Sequence, residues 1–304
     1  MSPARRGFSF TELIVVLAIL GLIGSTIGST MVRQQRFYRG ATEILSARAG
    51  VRDAMEVLST DIRGMAAADT VRILADSAIE FFSNIGTSIA CQSFGADDVG
   101  LPPSNSPGNT FSAFLAQPDT GDLALFYRDS IYAGDRWERH RISAFSFTPL
   151  ASSCPASSGF TPDDLDAGAK GFRVSLTDAL SPAVKAGAPV RFIRRGRYSL
   201  YRATDGAWYL GYRRCNALGA SVCGAIQPLS GPYRAYSANP GVTGLLFEYF
   251  DGLGRRVDPA SPLTVARVDI TARSESPQRI VVEGRAKAFP DSASVSIAIR
   301  NRAR

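Results

Sequence analysis

The chain has 304 residues, 45% of them hydrophobic, and a formal net charge of +7 at pH 7. This length can bury a substantial core in one large domain or two smaller ones. The sequence contains no P-loop, no HExxH zinc motif and no GxGxxG loop after a predicted strand. A Ser-His-Asp or Cys-His site would require the sole histidine, His140, which we predict to lie exposed on a strand. The sequence therefore favours a protein that is not an enzyme and needs no cofactor.

The positive charge comes almost entirely from arginine. The densest cluster lies on a predicted strand and comprises Arg191, Arg194, Arg195 and Arg197. A basic patch can bind nucleic acid, so DNA or another polyanion is one candidate partner. The other arginines are scattered and form no continuous stripe. We therefore favour a solvated surface.

The four cysteines are Cys91, Cys154, Cys215 and Cys223. None forms a CxxC pair, so the spacing of a zinc site is missing. An even number of cysteines after an export signal favours disulfides in an oxidising compartment. Three pairings are open, and we prefer Cys215 with Cys223, which closes a short loop, and Cys91 with Cys154.

The N-terminus divides into a short basic leader and a long apolar run. The leader, residues 1–7, reads MSPARRG, and in the run Phe8–Val32 the only charged residue is Glu12. As a helix this run is about 37 Å long, enough to cross a hydrocarbon core of about 30 Å. Arg5 and Arg6 should hold the leader on the cytoplasmic side, which places the rest of the chain across the membrane.

Glu12 distinguishes this segment from an ordinary secretory signal. An acidic group within an apolar helix costs roughly 2–3 kcal/mol near the bilayer centre and usually has a function. A cleavable signal peptide has no use for it, and no A-x-A-like cleavage site follows the apolar run. The sequence therefore argues against an ordinary signal peptide.

The order Gly7, Phe8, Thr11, Glu12 and an apolar run over residues 13–23 resembles the class III signal of type IV prepilins and type II secretion pseudopilins. The resemblance implies that a membrane aspartyl peptidase cuts between Gly7 and Phe8 and methylates the new amine of Phe8. It also implies that Glu12 pairs with this amine on a neighbouring subunit and so sets the axial stagger. The alternative is a glutamate that is merely tolerated near the membrane interface.

The same resemblance implies a bacterial inner-membrane protein with one membrane pass and a periplasmic head. Its partners would be the prepilin peptidase, the inner-membrane assembly platform and other pilin or pseudopilin subunits. In the apolar run, small residues recur at Gly21, Gly24, Ser25, Gly28 and Ser29. They either let helices approach closely or permit local loosening of the helix in a filament, and both interpretations stay open.

After Val32 the pattern becomes amphipathic, which predicts a stalk helix over residues 33–66. Together with the membrane segment, residues 8–32, it forms one helix from about Ser9 to Met65. The apolar face comprises Phe37, Ile44, Val51, Met55, Leu58, Ile62 and Met65. Residues 67–304 are predicted to form a β-rich head. The fold class is therefore α+β, a long helix half buried in a sheet domain, as in pilins.

The head is predicted to begin with a strand pair within residues 71–82. Residues 93–120 are rich in Gly, Pro, Ser and Asn and are predicted to be mostly loop. Further strands are predicted at residues 122–127, 137–147, 171–176, 190–202, 207–213, 245–249, 265–273 and 295–300. Hairpin turns are predicted at Thr204-Asp205-Gly206 and at Asp251-Gly252.

The segments GLLFEYFDGLG, RVDIT and IAIRNR in the head resemble PilW-like minor pilins and the related J-type minor pseudopilins. This second resemblance implies a minor type IV pilin at or near a filament tip, where it helps to initiate assembly. The alternatives are a J-type minor pseudopilin of a type II secretion system, or an adhesin or DNA-uptake pilin.

Two further groups of residues in the head have a functional and a structural interpretation. Asp163, Asp164 and Asp166 before Gly168, like Asp97 and Asp98, could bind calcium, but the spacing is not that of an EF-hand and we favour solvated turns. Trp137 and Trp208 could form an adhesive or sugar-binding face, but we favour packing within sheets.

Overall fold

The computed structural model describes residues 9–65, 71–104, 111–129, 134, 136–161, 169–219, 222–258, 264–276, 278–282 and 285–299. One long helix precedes all strands. The elements are α1 (Phe10–Arg63), β1 (Ile73–Leu74), β2 (Ala78–Ile89), β3 (Gln92–Ser93), β4 (Asp98–Leu101), β5 (Ala113–Phe114), β6 (Leu123–Arg128), β7 (Arg136–Pro149), β8 (Lys170–Leu176), β9 (Pro189–Arg202), β10 (Trp208–Arg214), β11 (Gln227–Tyr233), β12 (Leu245–Phe250), β13 (Arg267–Glu275), β14 (Ile280–Val282), β15 (Arg285–Lys287) and β16 (Pro290–Ala298).

The helix α1 is continuous from the apolar run into the amphipathic segment, as predicted. It begins after Ser9, whose side chain caps the first turn, and it ends before Gly64, whose N–H bonds back to the carbonyls of Thr60 and Ile62. Its buried residues all lie between Ala47 and Ile62. The fold class is thus confirmed: one long helix packs against a β-rich domain.

Most strands belong to one large antiparallel sheet of eleven strands. Its main path runs β1-β2-β9-β6-β7-β8-β4-β3, with β10 and β11 continuing from β9, and β5 pairing with β2. The 14-residue strand β9 lies at the centre and pairs with β2, β6 and β10. A second sheet of order β12-β13-β16 and a short β14-β15 hairpin complete the head.

The hydrophobic core has two main parts. The first, which we call the helix core, joins α1 to both sheets and includes Leu58, Ile79, Tyr198, Leu210 and Ile270. The second, the distal core, consists of sheet residues alone, centred on Phe126, Phe172 and Phe192. No residue of α1 belongs to this distal group within the described part of the chain.

Most predicted strands are confirmed, but the segment over residues 93–120 is not simply a loop. It contains β4 and β5, because Val99 and Leu101 are buried and pair with Val174 and Phe172 of β8. The turn at residues 204–206 joins β9 to β10, as predicted. Asp251-Gly252 does not close β12 directly onto β13. It reverses the chain so that Arg256 forms an isolated antiparallel β-bridge with Phe250. The strand β13 begins only at Arg267.

Candidate assembly surface

Glu12 lies in the first turn of α1 and forms a capping box with Ser9. The backbone N–H of Ser9 donates to Oε2 of Glu12 at 3.0 Å, and the N–H of Glu12 donates to Oγ of Ser9 at 3.3 Å. These two bonds satisfy donors that a helix N-terminus otherwise leaves unpaired. The S-x-x-E pattern that specifies this box is visible in the sequence, where only the pairing of Glu12 between subunits was predicted.

The first part of α1, residues 10–39, is not covered by the head, and we call it the membrane half. Its large apolar side chains are exposed in the isolated chain; Leu22 is 70% and Ile27 62% accessible. Among the described residues, α1 is the one helix long and apolar enough to cross a membrane. Because such a surface cannot remain in water, this half needs lipid or other helices around it.

The glycines of the membrane half have open space beside them within the described chain. A Cβ placed on Gly21, Gly24 or Gly28 would meet nothing within 4 Å. The neighbouring hydroxyls bond to carbonyls of the same helix; Thr26, for example, donates to Ile23 at 2.8 Å. The stripe is therefore compatible with lipid, and it leaves room for another helix to approach closely.

The remainder of the helix, residues 40–63, is the head half. Val51, Leu58 and Ile62 are buried as predicted, and Met55 packs partly against the helix core. The prediction for Phe37 was wrong: its side chain is 73% exposed, because the head does not reach this turn of the helix. Instead, the small residues Ala47, Gly50 and Ala54 let the sheets approach closely.

Hydrogen bonds fix the head half against the sheets. Tyr233 Oη donates to the carbonyl of Gly50 at 2.6 Å, and Ser274 Oγ to that of Ala47 at 3.0 Å. The hydroxyl of Tyr198 bonds to the carboxylate of Asp61. Burial raises the pKa of Asp61 above its ordinary value, and the bond from Tyr198 opposes that shift. The head half is therefore oriented by polar contacts as well as by packing.

Three of the four arginines in the cluster on β9 are held in ion pairs, so the prediction of a solvated face was wrong for them; Arg191 is exposed. Arg195 is buried and its Nε donates to Oε1 of the fully buried Glu80 at 2.6 Å, while Arg197 bonds to Oε2 at 2.8 Å. Arg194 makes a bidentate pair with Asp122. Arg195 and Arg197 reach Glu80 because the register of β2 on β9 places Glu80 opposite Arg197. Each of these three arginines thus has a carboxylate partner, and Glu80 serves two of them.

Arg191 contacts an aromatic ring instead of a carboxylate. Its guanidinium lies 4.7 Å from the centroid of Trp137, whose ring also meets Tyr127 edge-on at 5.4 Å. Trp208 packs partly buried against the helix core. Both tryptophans therefore take part in packing, the interpretation favoured from the sequence.

His140 is not an exposed strand residue, contrary to the prediction. Its side chain is buried on β7, where Nδ1 lies 2.9 Å from Oδ2 of Asp178 and Nε2 lies 3.6 Å from Oε2 of Glu138. It faces inward because it alternates with the exposed Arg139 and Arg141 and meets the ring of Phe126. The imidazole thus belongs to a buried polar group in the head.

The cysteines form the two bridges preferred from the sequence, Cys91–Cys154 and Cys215–Cys223. The first closes a span of 63 residues beside the distal core, and the second a span of 8. By lowering the entropy of the unfolded chain, the longer loop should stabilise the fold by about 4 kcal/mol and the shorter one by about 2.5 kcal/mol.

The carboxylates considered for calcium do not meet in one described site. Asp163, Asp164 and Asp166 lie outside the described residues. Asp98 pairs with Arg173 at 2.8 Å. A hydrogen bond from Ser175 and this guanidinium hold the pKa of Asp98 below its ordinary value. Asp98 is thus engaged in an ion pair between β4 and β8, and calcium binding there would have to displace Arg173.

Gly7 and Phe8 also lie outside the described residues, so cleavage between them stays a prediction from the sequence. Residues 2–28 match the family described as "Prokaryotic N-terminal methylation motif". No curated protein and no solved structure matches the chain significantly. The matched segment covers the leader, the capping box and most of the exposed apolar helix. The motif, the uncovered helix and the sheet domain together support one conclusion, a type IV pilin-like protein with a class III prepilin signal.

Proposed function

We propose that this chain is a minor type IV pilin, processed between Gly7 and Phe8, methylated on Phe8, and assembled at or near the tip of a pilus. The observation that carries the proposal is the membrane half of α1. It is apolar, uncovered by its own head, and its first part lies within the matched methylation motif, residues 2–28. Such a helix can reside in a bilayer before assembly and afterwards pack against the corresponding helices of other subunits. The proposed role is structural, without catalysis and without a cofactor.

Glu12 is the proposed assembly contact. In the isolated chain its carboxylate accepts a hydrogen bond from the backbone of Ser9. An ionised carboxylate has two oxygens and can accept several bonds, so it can also meet the methylated amine of Phe8 from a neighbour. Among apolar helices, an unpaired carboxylate is penalised, and the ion pair thereby selects the correct stagger between subunits.

The distal core supports the proposal of a minor subunit near the tip. This part of the head is built on residues of β2, β4 and β6–β9 without contribution from α1 among the described residues. A subunit that repeats along a fibre must fit between its neighbours. A subunit at the end of the fibre has free space on one side, which can accommodate the part of the head built on the distal core. A J-type minor pseudopilin at the end of a pseudopilus would have the same free space, so this class remains the alternative. The cluster on β9, three of whose arginines are held in ion pairs, gives no support to DNA uptake.

The proposal is tested on protein recovered from cells. We expect an intact mass that corresponds to a chain beginning at Phe8 with one added methyl group. In sheared filaments, quantitative mass spectrometry should find the chain far below the major subunit. A chain that retains its first seven residues, or that begins after the apolar run, contradicts the processing step. A chain that dominates the filament contradicts the minor role but not the processing.

A further inference from the structure

A groove lies at the base of the head, where α1 leaves its membrane half. It has a volume of about 520 Å³ and is lined by helix residues 36–44 and by the turn at residues 278–280. Oε2 of Glu43 accepts a hydrogen bond from the backbone N–H of Gln278 at 3.1 Å, which holds the turn beside the helix. Ile280 is buried against the helix at Gly40. The walls of the groove are therefore fixed by the fold.

The lining of this groove is strongly basic. Arg36 and Arg39 from the helix and Arg279 from the turn are all exposed there. Glu43 is the one acidic residue among the described lining residues, and it already accepts the bond from Gln278. Arg33 lies on the same helix, about one turn before Arg36 and therefore closer to the apolar run. The groove thus presents several guanidinium groups whose charge is not balanced by its own walls.

The groove lies at the depth of phospholipid headgroups when the apolar run spans a bilayer. Residues 10–32 rise about 35 Å, which covers a hydrocarbon core of about 30 Å, and residues 33–39 rise about 10 Å more. Phe37 and Tyr38, 73% and 68% exposed, occupy this second segment. Aromatic side chains concentrate at the membrane interface, so their exposure here is explained by the same position.

We propose that the groove binds the phosphate of an anionic phospholipid in the leaflet that faces the head. Arg36, Arg39 and Arg279 form the phosphate site, because the planar guanidinium matches phosphate oxygens and pairs with them by two bonds. Phe37 provides an apolar wall on the side of the groove that faces the bilayer. This inference rests on the membrane insertion in the proposed function, and it concerns the subunit before assembly.

Charge distribution favours lipid over the acidic surface of a neighbouring subunit. Arginines close to the exit of a helix oppose its translocation, since such charges normally remain on the cytoplasmic side. Arginines within about 10 Å of the apolar run lie at the depth of lipid phosphates, which can accept their hydrogen bonds. Before assembly the subunit has no neighbour in a filament, so lipid phosphate is the proposed partner. Binding holds the base of the head on the bilayer, and it must be broken when the subunit leaves the membrane.

The experiment uses the full-length chain reconstituted into vesicles with equal amounts of phosphatidylcholine and phosphatidylglycerol. Lipids retained on the protein are quantified by native mass spectrometry. The test variant combines R36Q, R39Q and R279Q. The control combines R52Q, R63Q and R202Q, exposed positions that remove the same charge away from the groove. Resistance to carbonate extraction first establishes that each protein is inserted.

We expect wild type and control to retain phosphatidylglycerol in roughly threefold or greater excess over phosphatidylcholine, with the excess falling as salt is raised. The groove variant should show no preference. Equal lipid ratios for inserted wild type and groove variant would overturn the proposal, as would an equal loss in the control. If the groove variant keeps its lipid preference but fails to enter filaments, a neighbouring subunit is the partner instead. A chain that does not insert at all contradicts the proposed function itself.

Discussion

The two halves of α1 share one backbone conformation but have opposite surroundings. The head half buries Val51, Leu58 and Ile62 in the helix core, whereas Leu22 and Ile27 in the membrane half have no cover from the described part of their own chain. Packing therefore stabilises one half, and the environment must stabilise the other. A substitution in the head half should change folding, while one in the membrane half should change insertion or assembly. Paired substitutions can test this division.

The largest effect is expected for Glu12→Ala, because it removes the proposed partner of the methylated amine. We expect normal cleavage of the precursor and normal stability of the head, but at least a tenfold loss of incorporation into filaments, since a helix loses its specific ion pair in an apolar setting. Immunoblots of cell and sheared-filament fractions measure both steps. Glu56→Ala, at an exposed position of the head half, is the control and should assemble normally. Equal incorporation of both variants would remove Glu12 from the assembly mechanism.

Leu58→Ala should produce the largest loss of folding stability. Leu58 is fully buried, so its truncation leaves a cavity and should lower the free energy of unfolding by about 3 kcal/mol. Leu22→Ala, in the membrane half, should leave the unfolding of the head unchanged within about 0.5 kcal/mol. Chemical denaturation in detergent, followed by tryptophan fluorescence, compares the two. Similar losses from both substitutions would show that the halves are not energetically separate.

The glycines of the two halves should respond differently to alanine. At Gly50, a Cβ would lie 3.2 Å from the backbone oxygen of Gly231, which cannot move as a side chain could. We therefore expect Gly50→Ala to lower stability by about 1 kcal/mol, although alanine favours helix. Gly24→Ala meets no atom within 4 Å and should not affect the head. Thermal denaturation checks both, and a more stable Gly50→Ala variant contradicts the expected clash.

The smallest effect concerns Asp61, near the end of the head half. Its raised pKa means that the folded protein prefers the protonated carboxyl. The associated stability is complete below the ordinary aspartate pKa and is lost as pH rises through the raised value. Asp61→Asn stays neutral and can still accept the Tyr198 bond. The melting temperature of Asp61→Asn should therefore rise relative to that of wild type as pH increases from about 4, the ordinary aspartate pKa. Asp53→Asn, exposed on the same helix, should show no such trend, and a difference for Asp61→Asn that is independent of pH argues against the buried carboxylate.

Elements with a strong local pattern were predictable from the sequence. The continuous helix follows from an apolar run joined to an amphipathic period, and the turn at Thr204-Asp205-Gly206 requires the positive φ that Gly206 adopts. In contrast, β11 was missed because its sequence, QPLSGPY, is polar and contains two prolines. It pairs with β10 alone among the described strands, and prolines are tolerated at such an edge.

The environments of individual side chains were less predictable, because they depend on tertiary pairing. The sequence does not show that Glu80 lies opposite Arg197. That register brings the Glu80 carboxylate within reach of Arg195, which can therefore be buried. His140 was predicted to be exposed but is buried, because the distal core covers β7. Phe37 was predicted to be buried but is exposed, because the base of the head ends above it. The basic groove was also missed, since Arg279 is distant in sequence from the helix arginines and joins them only through the fold.

The long strand β9 determines how the head would carry mechanical load. Phe192, near its beginning, belongs to the distal core, and Tyr198 and Leu200, near its end, belong to the helix core. A pull on the far end of the head is therefore transmitted lengthwise along one backbone toward the stalk. Separation of β9 from β2 in that direction requires many interstrand hydrogen bonds to break together rather than one after another. The topology thus suits a subunit that remains folded under tension.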